Sequence, residues 1–237
     1  MKRLLTLCAL MLAFFSSAKV QAQGANTMPL ETLIWTYTDF KQLRENAAEW
    51  HDKKGIDGFI FCFVNEKGPP RWDSGPAVVK DFYSELPQTV TALGKAGITA
   101  NFVHAGMDDP AWDWFDEARI ARTIATFREL AIIAKNSGCR GVAIDTEAYS
   151  GGKMWDPSRY PKAQRPKFAA QIRKTATAIG KAIMEVYPEA EILLLPEGGY
   201  IAMENSPGGE LVYEHWIDFF NGLASVKPAK GITVMCE

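Results

Sequence analysis

The sequence is poor in the residues that build zinc sites and disulfide frameworks. Its 237 residues include only three histidines and four cysteines, with no H-x-H, H-E-x-x-H or C-x-x-C spacing. Zinc chemistry is therefore not expected, and no cofactor is predicted. Cys62, Cys139 and Cys236 each lie in or beside an apolar run, which favours buried free thiols over a disulfide.

Two catalytic motifs are also absent. No glycine-rich phosphate loop follows the first apolar run after the N-terminal segment, and no G-x-S-x-G elbow occurs in the chain. The first absence argues against a dinucleotide-binding fold, and the second against serine chemistry of the α/β-hydrolase type. The 26 Lys and Arg residues are outnumbered by 28 Asp and Glu residues, so a nucleic-acid-binding surface is not expected either.

The first 22 residues have the pattern of a secretory signal peptide. Lys2 and Arg3 precede an apolar run over 4–15, which is too short to span a bilayer comfortably, and small residues then lead to Ala22. The pattern predicts a signal peptide over 1–22, an N-terminal extension over 23–31 and one domain over 32–237. Without the signal the chain carries 23 basic and 28 acidic residues, and we expect a secreted or periplasmic protein without a membrane partner.

Near-continuous apolar runs alternate with helical periodicity through the rest of the chain. The predicted strands span 32–38, 56–64, 98–104, 140–145, 191–195 and 232–236. Runs of this kind fit parallel strands that are covered on both faces. Apolar stripes with helical spacing lie between them, for example over 40–50, 120–134 and 168–186. The sequence therefore predicts an α/β fold with a parallel sheet.

Six strand–helix units fit either a doubly wound open sheet or part of a (β/α)8 TIM barrel. The segments after the predicted strands are long and rich in Trp, Tyr, Asp, Glu and Asn, whereas those before the strands are short. This asymmetry is typical of a barrel with its active site at the C-terminal face. Because the sixth predicted strand ends the chain, we expect a C-terminally incomplete barrel that lacks the last two units. A natural six-stranded open sheet is the alternative.

The fourth predicted strand ends in two acids, Asp145 and Glu147. Residues i and i+2 of a strand share a face, so both carboxylates are predicted to point into the mouth of the barrel. Mutual repulsion raises the proton affinity of one carboxylate of such a pair, and glycoside hydrolysis needs an acid of this kind. Alternatively, the two acids cap a following helix or bind backbone amides in the loop.

The pattern G-x-x-x-D-x-E over 141–147 resembles the fourth-strand motif D-G-x-D-x-D-x-E of chitinase-type glycoside hydrolases. The resemblance implies a sugar-active barrel in which Glu147 is the proton donor and Asp145 the supporting acid. Arg140 and Ala143 stand where the motif has its first two acids.

A third carboxylate, Glu197, follows the fifth predicted strand. The pair Asp145 and Glu197 also resembles amylase-like retaining barrels, in which a nucleophilic Asp ends the fourth strand and an acid Glu ends the fifth. Asp145 thus stands as either supporting acid or nucleophile. Alternatively, Glu197 is a turn residue beside the Gly-Gly step that follows it.

Polar and aromatic residues at the strand ends and in the following loops are candidate sugar ligands. Aromatic rings can stack on the C–H face of a sugar while polar groups bind its hydroxyls. The candidates are Trp35, Tyr37, Asn65, His104, Trp112, Tyr149, Trp155 and Tyr200. The alternative for the tryptophans is that they pack long loops over the rim of the barrel.

Three functions fit these observations. The first is a secreted glycoside hydrolase acting on an oligo- or polysaccharide, with Glu147 as general acid/base. The second is a carbohydrate-binding protein on a degenerate barrel that lacks turnover. The third and weakest is a phosphodiesterase with Mg²⁺ or Ca²⁺ held by Asp145, Glu147, Glu197 and His104.

Overall fold

A computed structural model describes residues 31–65, 68–107, 109, 111–147, 153–195 and 215–235. The predicted signal peptide over 1–22 and nearly all of the predicted extension over 23–31 lie outside these ranges. In the described part of the chain, no helix is both long and apolar enough to cross a membrane.

The described residues form a six-stranded parallel sheet with helices between the strands. The strands are β1 (Leu33–Trp35), β2 (Gly58–Phe61), β3 (Phe102–Ala105), β4 (Gly141–Asp145), β5 (Glu191–Leu195) and β6 (Ile232–Val234). The helices are α1 (Phe40–Glu45), α2 (Ala47–Asp52), α3 (Pro76–Phe82), α4 (Leu86–Lys95), α5 (Glu117–Ser137), α6 (Phe168–Val186) and α7 (Trp216–Ala224). Three single-turn 3₁₀ helices precede α6, at Lys153–Trp155, Pro157–Arg159 and Arg165–Lys167.

The order of the strands in the sheet is the order of the strands in the chain. Each strand pairs in parallel with the next, from β1 to β6. A doubly wound sheet requires a reversal of strand order, and none occurs here. Unreversed β/α succession is the wall of a (β/α) barrel, and the described residues form six of the usual eight strands. The predicted fold class is confirmed.

Alternate residues of the strands divide between two apolar layers. The inner face of the sheet carries Ile60, Phe102, Ala143, Leu193 and Leu195, with Leu33, Trp35 and Met235 packed against them. The intervening residues, such as Val142 and Ile144 of β4, join the larger core between the sheet and the helices. Continuous apolar strands are thus explained by burial on both faces.

Side-chain hydrogen bonds explain why several elements are shorter than their predicted ranges. The strand predicted over 98–104 begins only at Phe102, because the buried amide of Asn101 bonds to backbone groups at its start. Its Nδ2 donates to the Ile98 carbonyl at 3.1 Å, and its Oδ1 accepts from the Phe59 N–H at 3.1 Å. The helix predicted over 40–50 is broken at Asn46, whose Nδ2 donates to the Gln42 carbonyl at 2.9 Å.

The longest helix, α5, illustrates how local signals set an element that faces the sheet. Asp116 caps its N-terminus by accepting a 2.9 Å hydrogen bond from the Arg119 N–H. Gly138 ends the helix in the left-handed region at φ 76°, where a side chain would be strained. Strand β4 follows three residues later, and the helix therefore delivers the chain directly to the strand that carries Asp145.

Candidate active site

A cavity of about 530 Å³ lies at the C-terminal ends of β1 to β4. Residues from each of these four strands, or from the segment directly following it, contribute to its wall. They include Trp35, Cys62, His104, Asp145 and Glu147. The cavity is therefore at the face of the barrel where the sequence predicted a site.

Asp145 and Glu147 both line the cavity, and both are almost fully buried, at 6% and 9% exposure. The backbone N–H of Glu147 donates a 2.8 Å hydrogen bond to Oδ1 of Asp145. Asp145 therefore holds the chain that carries the second acid. Oδ1 of Asp145 thus binds a backbone amide, as the alternative interpretation of the pair has it, while Oδ2 lies 3.6 Å from Nε2 of His104.

The residue between the two acids anchors them to the neighbouring elements. Both the N–H and the Oγ1 of Thr146 donate to the Leu195 carbonyl, each at 2.6 Å. The same Oγ1 accepts a 2.9 Å bond from the indole Nε1 of Trp216, at the start of α7. On the other side, the indole Nε1 of Trp72 donates to the Asp145 carbonyl at 3.0 Å. Four hydrogen bonds thus fix the backbone at the end of β4.

His104 faces Asp145 across the floor of the cavity. Its Nε2 lies 3.6 Å from Oδ2 of Asp145, and its side chain is 1% exposed. Within the described part of the chain, neither ring nitrogen has a hydrogen-bond partner. The indole of Trp35 meets the imidazole edge-on, with ring centroids 5.0 Å apart. Because buried polar groups are normally hydrogen-bonded, these nitrogens are suited to a polar ligand.

Cys62 lies on the inner face beside this pair and was not predicted as a site residue. Burial, together with the negative charge of Asp145, raises the pKa of its thiol to about 12. It therefore remains a neutral thiol near neutral pH and does not resemble an activated nucleophile. Its position could have been read from alternation, since it follows the inner-facing Ile60 by two residues.

Aromatic rings form the rim of the cavity on the side of β1 and β2. Tyr37 is stacked on Phe63, with centroids 5.0 Å apart and planes 11° from parallel. The two side chains are 74% and 41% exposed. Phe63 was not predicted as a site residue, because an apolar side chain beside a buried strand gives no sign of its exposure.

A charged network supports the segment after β2 at the rim. Arg71, which lines the cavity, forms a 2.9 Å ion pair with Asp109, and Arg119 of α5 contacts the same carboxylate at 3.1 Å. Arg119 also pairs with Asp73 at 3.0 Å. An isolated parallel bridge joins Arg71 to Gly106. These contacts position the segment over the cavity, and no motif in the sequence indicated them.

Three predicted sugar ligands in the described residues are placed away from the cavity wall. Trp112 and Trp155 are fully buried in an aromatic cluster around Trp114, on the helix side of the sheet, so their rings offer no stacking face. This corrects the expectation that they meet a sugar, and the packing alternative describes them. The amide of Asn65 donates to the Phe82 carbonyl at 3.5 Å, toward α3.

The remaining candidates, Tyr149, Glu197 and Tyr200, lie outside the described residues. Of the predicted ligands and acids, the structure brings together Trp35, Tyr37, His104, Asp145 and Glu147. Among the described side chains, no three His, Cys, Asp or Glu residues are arranged to hold a metal ion.

Comparisons with known proteins find similarity among solved structures only. No family model matches the sequence, and no curated protein is similar to it. The chain is similar in structure to the exo-β-1,4-mannosidase Op5Man5 from Opitutaceae bacterium strain TAV5, with 18% sequence identity and a TM-score of 0.48. The similarity covers 73% of this chain and 32% of the mannosidase chain, so this chain spans about a third of that protein.

Proposed function

We propose that this protein is a glycoside hydrolase with Glu147 as the general acid/base and Asp145 as its supporting acid. The observation that carries the proposal is the convergence of two nearly buried carboxylates in one cavity at the C-terminal face of the barrel. Desolvated carboxylates are costly to fold unless they are compensated, and in this cavity Oδ1 of Asp145 accepts a hydrogen bond from the Glu147 N–H while Oδ2 lies 3.6 Å from Nε2 of His104.

The chemistry assigns a separate task to each acid. Glu147 donates a proton to the glycosidic oxygen as the bond to the anomeric carbon breaks, and water then adds to that carbon and returns a proton to Glu147. The negative charge of Asp145 stabilises the positive charge that develops on the sugar ring, and Asp145 orients Glu147 through its backbone bond. Glu197 is proposed as a further carboxylate of the site, on the sequence argument alone.

Substrate binding is assigned to the residues that line the cavity with suitable chemistry. The ring nitrogens of His104, which have no hydrogen-bond partner among the described residues, are proposed to bind sugar hydroxyls, and Trp35 to cover an apolar face of the ring. Tyr149 and Tyr200 remain proposed ligands from the sequence. We also propose, from residues 1–22, that the protein is secreted or periplasmic, which N-terminal sequencing of the exported protein would test.

The test is a screen of oligosaccharides and polysaccharides for reducing-end release, with Glu147→Gln alongside the wild type. Loss of the proton donor should lower turnover by about 10²- to 10⁴-fold. Glu45→Gln is the matched control, since Glu45 is an exposed residue of α1 that forms a surface ion pair with Lys41. Equal turnover by wild type and Glu147→Gln would reject the assignment.

A non-catalytic carbohydrate-binding protein is the second candidate. It is favoured by Ala143, an inner-face residue that provides no carboxylate in the layer below Asp145, where the chitinase-type motif has an acid. Binding of a glycan by the wild type without release of reducing ends would support this candidate over the hydrolase.

A further inference from the structure

We infer that Tyr37 and Phe63 form an outer subsite that stacks a sugar ring of an oligosaccharide, beyond the ring that contacts the acids. The inference deepens the proposed function and rests on it for the identity of the bound chain. It makes the substrate a chain of several sugars rather than a single sugar or a small glycoside.

The exposure of the two rings is the first observation. Among the described residues only five large hydrophobic side chains are exposed, and Tyr37 and Phe63 are the two aromatic members. They lie against each other at the rim of the cavity rather than scattered over the surface. A contiguous exposed apolar surface that continues into a polar cavity is a mark of a binding site.

The backbone under the rings is held in place without a ligand. Strand pairing continues past β1 and β2, because Thr36 accepts a 2.9 Å bond from the Phe63 N–H and donates its own N–H to the Ile60 carbonyl at 3.1 Å. The hydroxyl of Thr36 also bonds to both the N–H and the carbonyl of Thr38, at 3.1 and 3.0 Å. A ring on such a preorganised turn loses little conformational entropy when a ligand binds.

The geometry of the pair determines what it can bind. Tyr37 is the more exposed ring and Phe63 supports it from below, so the free surface is the flat outer face of Tyr37 with its hydroxyl at the edge. Phe63 has no polar atom in its side chain and contributes only apolar contact. A flat apolar face with a polar edge matches a pyranose ring whose axial C–H groups lie on one side and whose hydroxyls lie around it.

The aromatic rim continues into the inner cavity, and the residues along this wall favour a sugar over another flat ligand. Trp35 lies two residues before Tyr37, at the end of β1. Its indole contacts His104, which faces Asp145. The wall therefore changes from aromatic at the rim to hydrogen-bonding at the floor. A planar aromatic ligand would satisfy the rim but not the ring nitrogens of His104 or the acids, whereas a chain of sugars satisfies both.

The experiment measures binding by isothermal titration calorimetry in a Glu147→Gln background, which prevents turnover. The probes are the β-1,4-linked gluco-, manno-, xylo- and chito-oligosaccharides of two to six units, and p-nitrophenol serves as an aromatic probe without sugars. The variants are Tyr37→Ala, Tyr37→Phe and Phe63→Ala. Val78→Ala is the matched control, because Val78 is an exposed apolar residue of α3 that does not line the cavity.

We expect Tyr37→Ala to weaken binding of the longer oligosaccharides by about tenfold, while Tyr37→Phe stays within about threefold of the parent. Phe63→Ala should weaken the same probes by a smaller factor, since it acts by removing the support of Tyr37. Short probes that fill only the inner cavity should bind all variants equally, and Val78→Ala should match the parent throughout.

Four results would each overturn the subsite. They are an equal loss of affinity at every chain length, no loss of affinity at all, no binding of any oligosaccharide, and tighter binding of p-nitrophenol than of any sugar. Loss confined to long chains would support it. If the wild type binds in this pattern but releases no reducing ends, the subsite stands and the hydrolase proposal fails, so the two failures are distinguishable.

Discussion

The backbone N–H of Glu147 donates a 2.8 Å hydrogen bond to Oδ1 of Asp145, so the side chain of one acid holds the backbone of the other. One oxygen of Asp145 therefore has a structural task, while its charge has a chemical one. Substitutions that remove these properties separately should have different effects.

Asp145→Asn keeps an acceptor at Oδ1 and removes the charge, whereas Asp145→Ala removes both. We expect both variants to lose turnover, and Asp145→Ala to have a free energy of unfolding about 1 kcal/mol lower than that of Asp145→Asn, the usual net value of one hydrogen bond. Urea denaturation measures the loss of stability, and turnover of the substrate found in the screen measures the loss of catalysis. Equal stability of the two variants would show that the bond does not support the loop.

Thr146→Val should destabilise the protein by about 1–3 kcal/mol, because it leaves the buried indole N–H of Trp216 without its acceptor. In a double-mutant cycle with Trp216→Phe, the second change should cost less once the first is present. Thr91→Val is the matched control, since the Thr91 hydroxyl bonds to the Pro87 carbonyl on an exposed face of α4. Additive losses in the urea midpoint would contradict the coupling.

The fold could be predicted from the sequence because its signals are repeated in every unit. Apolar strands buried on both faces and helices with regular stripes follow from burial, and the long polar segments after the strands favoured the strand order of a barrel over that of a doubly wound sheet. The ends of the elements could not be predicted in the same way. They depend on single side chains such as Asn101 and Asn46, whose side-chain amides donate hydrogen bonds to backbone carbonyls of the local chain.

The site was predictable where it depends on strand geometry and not where it depends on loops. The two-residue period places Asp145 and Glu147 on one face, and the structure puts both in the cavity. The same reasoning gave no means to separate the rim-forming Tyr37 from the buried Trp155, since both follow strands and both are aromatic. Only the packing of the loops distinguishes an exposed ring from a core ring.

Gly106 lines the cavity beside His104 and Asp145, and a side chain at this position should reduce binding without unfolding the protein. A Cβ at this position would lie 3.4 Å from Cε1 of His104 and 3.5 Å from Oδ2 of Asp145, which are ordinary contact distances. We expect Gly106→Ala to weaken oligosaccharide binding with a melting temperature close to that of the wild type, and the larger Gly106→Val to abolish binding. Undiminished binding by Gly106→Val would show that the ligand does not occupy this space.

The thiol of Cys62 should make the protein less stable at high pH. Burial and the Asp145 charge raise its pKa from 9.0 to about 12, so the unfolded chain loses this proton before the folded protein does. The raised pKa therefore lowers the free energy of unfolding as pH rises from about 9 toward 12, and has no effect well below pH 9. The urea midpoint should fall further between pH 7 and pH 10 for the wild type than for Cys62→Ala. Parallel decreases would contradict the assignment.

Gly141 sets the closest approach of two strands, and adding a methyl group there should be far more damaging than at a glycine with free space. It pairs with Glu191 across β4 and β5, and a Cβ would lie only 1.8 Å from the Glu191 carbonyl oxygen. Relief requires the strands to separate at the base of the sheet that carries Asp145, so Gly141→Ala should lose on the order of 3 kcal/mol or fail to fold. Gly94→Ala is the control, because nothing lies within 4 Å of a Cβ there and α4 should gain up to about 1 kcal/mol. Thermal melts followed by circular dichroism compare the two, and similar melting temperatures would contradict the register of β4 and β5.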